Sequence, residues 1–146
     1  MIRSLLFATV LAFSLTAAGA DVPIQFGVYK LKGTNPDGMK KYDGKIVMQR
    51  EGTNYRVTWF IGPVQSQMGI GILENNVLSI GYMDLSGQDF GVVSLKVVNN
   101  KNLKGKWTSL FSKGGFGEEE FIFESEKVPS NLTPKAPKRK PEETSI

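Results

Sequence analysis

The chain has 146 residues and a formal net charge of +4, with 18 basic and 14 acidic side chains and neither cysteine nor histidine. Without cysteine there is no disulfide, no thiol nucleophile and no thiolate metal site. Without histidine there is no Ser-His-Asp triad, no imidazole zinc site and no imidazole base, so no metal or cofactor is expected and catalysis would rest on carboxylates alone.

The N-terminus carries Arg3, then the apolar run SLLFATVLAFSLTAA, and ends in Ala18-Gly19-Ala20. A basic start, an apolar stretch and a small-x-small end are the layout of a secretory signal peptide. Residues 1–20 are therefore expected to be a signal peptide, and the protein is expected to be periplasmic or secreted. The run is short for a membrane span and no basic stop follows it, so no membrane span is expected.

Residues 21–126 read as one β domain. Glycine recurs between short alternating segments, and long helical periodicity is absent. The strand candidates are Ile24–Lys32, Lys45–Arg50, Asn54–Ile61, Met68–Leu73, Val77–Asp84, Phe90–Val98, Leu103–Phe111 and Phe116–Glu124. Turn sequences such as Asn35-Pro36-Asp37-Gly38, Glu74-Asn75-Asn76 and Lys113-Gly114-Gly115 separate them. Asn35-Pro36-Asp37-Gly38 also carries oxygen ligands, but Asn, Pro, Asp and Gly together are first a turn. Connections this short favour antiparallel hairpins, and eight strands can close on themselves and remove exposed edges. The expected fold is all-β, a small antiparallel up-and-down barrel, with an open meander or a sandwich as the alternative.

From Lys127 the sequence turns proline-rich and loses apolar periodicity; four of the seven prolines lie in residues 127–146. Such a segment is expected to be a disordered tail. Its basic excess accounts for most of the charge, because residues 21–126 hold 12 basic and 12 acidic side chains. A neutral domain argues against nucleic-acid binding, which needs a basic face on the fold.

Alternation gives each strand two faces. Tyr55, Val57, Trp59 and Ile61 share one, and in the same register fall Tyr29, Leu31, Tyr42, Ile46, Met48, Gly69, Gly71, Leu78, Ile80, Tyr82, Val93, Leu95, Leu103, Trp107, Glu119 and Phe121. The lysines fall on the other. The aromatic face is therefore taken as inward, with Gly69 and Gly71 leaving room for Trp59. Two interiors fit it: a filled core, or a narrow aromatic cavity open at one end. Tyr29, Tyr55, Trp59, Tyr82, Trp107 and Glu119 are the candidate ligand-binding residues. Glu119 has no inward basic partner, so it requires donors such as a tyrosine hydroxyl or indole N–H, or else a raised pKa. Phe60, Met68, Ile70 and Ile72, with Met83, face outward on neighbouring strands and mark a candidate interface.

Taken together, Gly27-x-Tyr29-x-Leu31-x-Gly33-x-Asn35-Pro36-Asp37-Gly38, Tyr42-x-Gly44, Tyr55-x-Val57-x-Trp59, Gly69-x-Gly71, Leu103-x-Gly105-x-Trp107 and Gly117 before Glu119 resemble a group of small exported bacterial proteins, some labelled fibronectin-binding. The resemblance spans nearly all of the expected domain and implies export and adhesion to host matrix. In architecture the expected barrel is similar to the calycin-like avidins and lipocalins, an analogy of fold alone. The function expected is an exported, non-catalytic binding module, for an unknown small molecule at the barrel mouth or an extracellular protein on the outer surface. The alternatives are a structural, self-associating envelope protein, as a homodimer, and a sugar-active enzyme built on Glu119. No catalytic residue is assigned, because carboxylate catalysis needs a second placed group.

Overall fold

The computed structural model describes residues 19–135. Eight strands follow in order: β1 (Gly27–Thr34), β2 (Lys41–Glu51), β3 (Asn54–Ile61), β4 (Val64–Glu74), β5 (Val77–Asp84), β6 (Phe90–Asn99), β7 (Asn102–Ser109) and β8 (Gly117–Ser125). Each pairs antiparallel with its sequence neighbour, and β8 returns to β1 with Thr34 opposite Glu118, so the sheet is a closed barrel. Closure leaves neither an open meander nor a sandwich. Among the described residues no helix is long and apolar enough to cross a membrane. The signal-peptide expectation falls almost wholly on residues 1–18, and the last part of the expected tail on residues 136–146; both lie outside the described residues.

Local chemistry sets the connections. Asn75 and Asn76 have φ of 53° and 59° and join Glu74 to Val77, the backbone a two-residue hairpin with right-twisted strands requires. β4 begins four residues before the Met68 that the alternation suggested, because polar Gln65, Ser66 and Gln67 hide the pattern. A bulge opposite Trp59 and Phe60 accommodates the extra residue, and the Ser66 hydroxyl donates to the Trp59 carbonyl at 3.3 Å.

The inner face is the apolar one. Tyr29, Leu31, Ile46, Met48, Val57, Trp59, Leu78, Ile80, Leu95, Leu103 and Phe121 form a continuous buried core. Gly69 and Gly71 make room for Ile80 and Leu78, not for Trp59. One barrel end is plugged. β1 starts at Gly27, and the residues before it turn in under that end instead of extending the strand. Ile24 is buried there, Phe26 stacks on Tyr55 at 5.7 Å between ring centres, and the Gln25 N–H donates to the Asn100 carbonyl. Asn76 ties the segment down, accepting from the Val22 N–H at 2.6 Å and donating its own N–H to Asp21.

The tail departs from expectation over its first part. Residues 127–135 carry a short 3-10 turn at Ser130–Leu132. They then meet β4, where the Lys135 N–H donates to Gln65 Oε1 at 2.9 Å and Gln65 Nε2 donates back to the Lys135 carbonyl. The chain thus leaves β8 beside β1 and reaches β4, crossing the outer face of β1–β3. Val128, Leu132 and Pro134 are its half-buried residues. Under this strap the outward side chains Val28, Val47, Thr58 and Phe60 are buried.

The strap corrects half of the expected interface. Phe60 and Met68 do face outward, but they are only 4% and 8% exposed. Phe60 lies under the strap's path, and Met68 is hemmed between outward Thr58 and Met83 on the adjoining strands. Ile70 and Ile72 remain open, together with Met83, Phe90 and Val92. Deleting residues 127–146 is expected to uncover Phe60, Val28 and Val47, at a cost of about 2–4 kcal/mol. Urea denaturation checks this, and an unchanged midpoint would mean that the strap stabilises nothing.

Candidate functional site

Opposite the plugged end, the barrel opens on a cavity of about 240 Å³. Its walls are Asn35, Tyr42, Trp59, Ile61, Gln67, Tyr82, Val93, Trp107 and Glu119. The large rings fit because glycines face them across the ladder. Tyr42 lies opposite Gly33, Tyr82 opposite Gly91, and Trp107 opposite Gly117. A methyl group on any of these glycines would collide with the ring facing it. Each ring thus lies flat across its neighbour strand, which leaves the centre of the mouth open.

Glu119 is the polar centre of this wall. It is 5% exposed, and its ladder neighbours on β1 and β7 are Gly33 and Gly105, which offer no side chain. The Tyr42 hydroxyl donates to Glu119 Oε1 at 2.8 Å, and the Trp59 indole N–H donates to Oε2 at 3.3 Å. These are the two kinds of donor the inward position required. No lysine or arginine lies within ion-pair distance of it among the described residues. Burial outweighs the two hydrogen bonds and pushes the Glu119 carboxyl up to about 7. The tyrosines respond in kind. Burial, then the nearby Glu119 charge, holds the Tyr42 hydroxyl well above its ordinary value; burial and the charges of Asp89 and Glu119 do the same for Tyr82. Both stay neutral donors. Trp107 Nε1 is buried close to the Tyr42 hydroxyl and makes no hydrogen bond of good geometry.

Four of the expected ligand-binding residues meet here: Trp59, Tyr82, Trp107 and Glu119. Trp59 and Tyr82 have ring centres 5.8 Å apart. Tyr29 and Tyr55 share the inner face but not the mouth. The Tyr29 hydroxyl donates to the Gln25 carbonyl in the plug, and Tyr55 stacks on Phe26. They belong to the plugged half of the core. Alternation assigns a side chain to a face and says nothing of its height along the barrel. Tyr42, Asn35 and Gln67 were missed as site residues for a different reason. Tyr42 precedes the expected start of β2, Gln67 precedes that of β4, and Asn35 sits in a turn. Tyr42 was nonetheless in the inward register, and pairing it with Gly33 would have found it.

No protein-family model matches the chain, and no curated protein matches it in sequence. Solved structures do match in fold. A redesigned β-barrel is similar with a TM-score of 0.58 at 15% identity, over 71% of this chain and 92% of that one. The redesigned barrel mFAP1, bound to DFHBI, matches with a TM-score of 0.55 at 15% identity, over 69% of this chain and 94% of its own. A second, mFAP0 bound to DFHBI, gives 0.54 at 16% identity, over 69% and 97%. At these identities the likeness shows the closed barrel alone. These three are described as redesigned barrels, so they lend no support to the exported bacterial or fibronectin-binding part of the sequence resemblance.

The buried carboxyl has a consequence for stability. In the unfolded chain Glu119 titrates near 4.5, and in the fold near 7. Between those values the folded state holds a proton that the unfolded state has lost, so stability falls as pH rises from about 4.5 to 7 and levels off above. The loss is on the order of 3 kcal/mol. Glu119→Gln is expected to remove this slope, read from urea midpoints at pH 5 and pH 8. Parallel profiles for the two proteins would contradict the assignment.

Proposed function

We propose that this protein is a non-catalytic binding module that holds a small molecule in the open mouth of its barrel. The observation that carries this is the mouth itself. Four aromatic rings and one carboxyl surround about 240 Å³ of open space at one end of an otherwise filled barrel. Apolar walls with a few convergent polar groups are the ordinary make-up of a ligand site. The volume is below the roughly 300–1,000 Å³ of sites for drug-sized ligands, which favours a compact ligand. Glu119 is the only carboxylate among the lining residues, and acid–base catalysis on sugars takes a pair, which supports binding over chemistry. The DFHBI-bound barrels of similar fold are consistent with a barrel of this kind taking a small molecule. The signal-like N-terminal pattern supports a periplasmic or secreted location.

A second reading rests on the outer face. Ile70, Ile72, Met83, Phe90 and Val92 are exposed on adjoining strands β4–β6. Such a patch suits an extracellular protein partner or self-association.

The chain has two tryptophans, and both line the mouth. Their indole N–H signals in proton–nitrogen spectra therefore report on it directly. Benzyl alcohol and indole at millimolar concentration are expected to shift both signals. Gln67→Phe, which adds a ring at the rim, is expected to weaken that binding at least about tenfold, or roughly 1.4 kcal/mol. Unmoved tryptophan indole signals with both compounds would refute a mouth site.

A further inference from the structure

We propose that the mouth cavity selects a compact organic cation, an ammonium group carried on a one-ring apolar body, with the nitrogen seated against Glu119 among Tyr42, Trp59, Tyr82 and Trp107. This rests on the mouth being a binding site and names the chemistry of what it binds.

The argument starts from what the lining residues leave undone. Glu119 is buried on the wall with two hydrogen-bond donors and no counter-charge. A carboxylate has about four lone-pair positions, so two donors leave acceptor capacity facing the cavity. No Lys or Arg lines that cavity. An anionic ligand would meet Glu119 with no cation to receive it. A neutral ligand would leave the carboxylate uncompensated in a dry site, which is costly. An ammonium supplies the missing charge and N–H donors together.

The walls suit the same guest. The faces of Trp and Tyr attract cations through the ring quadrupole when the charge lies within about 6 Å of the ring centre. Here four such rings surround one carboxyl, with Tyr42 and Trp107 at 6.4 Å and Trp59 and Tyr82 at 5.8 Å between centres. On its outer side Glu119 borders a cleft lined by Lys32, Lys41, Asp43, Lys104, Glu118 and Glu120, and none of these lysines pairs with it. Inside the mouth the strands bring few other ionisable groups. β1 offers Gly33 and β7 offers Gly105 beside Glu119 on the ladder, and Trp107 completes the β7 contribution. β2 offers Tyr42, β3 Trp59, β4 Gln67, β5 Tyr82 and β6 Val93. The two tyrosines remain neutral, and Asp89 lies behind Tyr82, adding further negative potential. All of this favours a positive guest.

The proton on Glu119 then competes with the cation. The free carboxyl titrates at about 7, and only its ionised form pairs with an ammonium. The ionised fraction rises from about a tenth at pH 6 to about nine-tenths at pH 8, and apparent affinity scales with that competent fraction.

The test uses benzylamine, an ammonium throughout this range, and benzyl alcohol, its neutral counterpart of the same shape. Both are titrated against the two indole N–H signals of the full chain. Benzylamine is expected to bind about tenfold more tightly at pH 8 than at pH 6, and benzyl alcohol to bind no more tightly at pH 8 than at pH 6. Glu119→Gln is expected to abolish the preference for benzylamine while keeping benzyl alcohol binding, which shows the cavity intact. Equal affinities for the two compounds in the unaltered protein, with no rise in benzylamine affinity toward pH 8, would overturn the cation assignment and leave the mouth site standing. Binding of neither compound would remove both.

Discussion

A closed ladder of eight short strands has an inside too narrow for a large side chain from every strand. That limit governs where this chain can put its rings. At the plugged half the space is filled outright, with Tyr29 and Phe121 packed among aliphatic side chains. At the mouth the solution differs. Gly33, Gly91 and Gly117 give up their side chains so that Tyr42, Tyr82 and Trp107 can lie along the wall. The glycine across the ladder makes the ring fit, and the ring lying along the wall keeps the centre open.

The same limit explains the state of Glu119. Its position on β8 has glycine on both flanking strands, so its hydrogen-bond partners are rings, while Lys32, Lys41 and Lys104, which line an outer cleft with it, form no ion pair with it. An indole and a phenol provide hydrogen bonds but no charge. Each bond favours the ionised form, and burial opposes it more strongly. The result is a carboxyl at the tipping point near neutral pH. Its free energy depends on whatever enters the mouth. Perturbed carboxyls cluster at functional sites, and this one supports the reading of the mouth as a binding site.

Much of this was legible in residue order. The period of two placed Trp59, Trp107 and Glu119 on one side of the sheet and the lysines on the other. Short turns between the strands indicated sequential antiparallel pairing. Height along the barrel was not legible, because it depends on the stagger between strands. That is why Tyr29 and Tyr55 fell into the same candidate set as mouth residues. The two terminal segments escaped for another reason. Val22, Ile24 and Phe26 alternate like a strand, yet they pack beneath the barrel end, held by Asn76 and Asn100 from distant turns. The strap at residues 127–135 has no periodicity at all. Its order comes from Gln65, seventy positions away from Lys135. Contacts of that range leave no local signature, and they decide which outward apolar residues stay open.

The most direct measurement is the titration of the Glu119 side-chain carboxyl, followed by carbon-13 chemical shift in the free protein. A midpoint near 7 is the result the account requires, because it reports a carboxyl inside the barrel with rings and no counter-charge around it. A midpoint near the ordinary 4.5 would place Glu119 in water and take the buried mouth site with it.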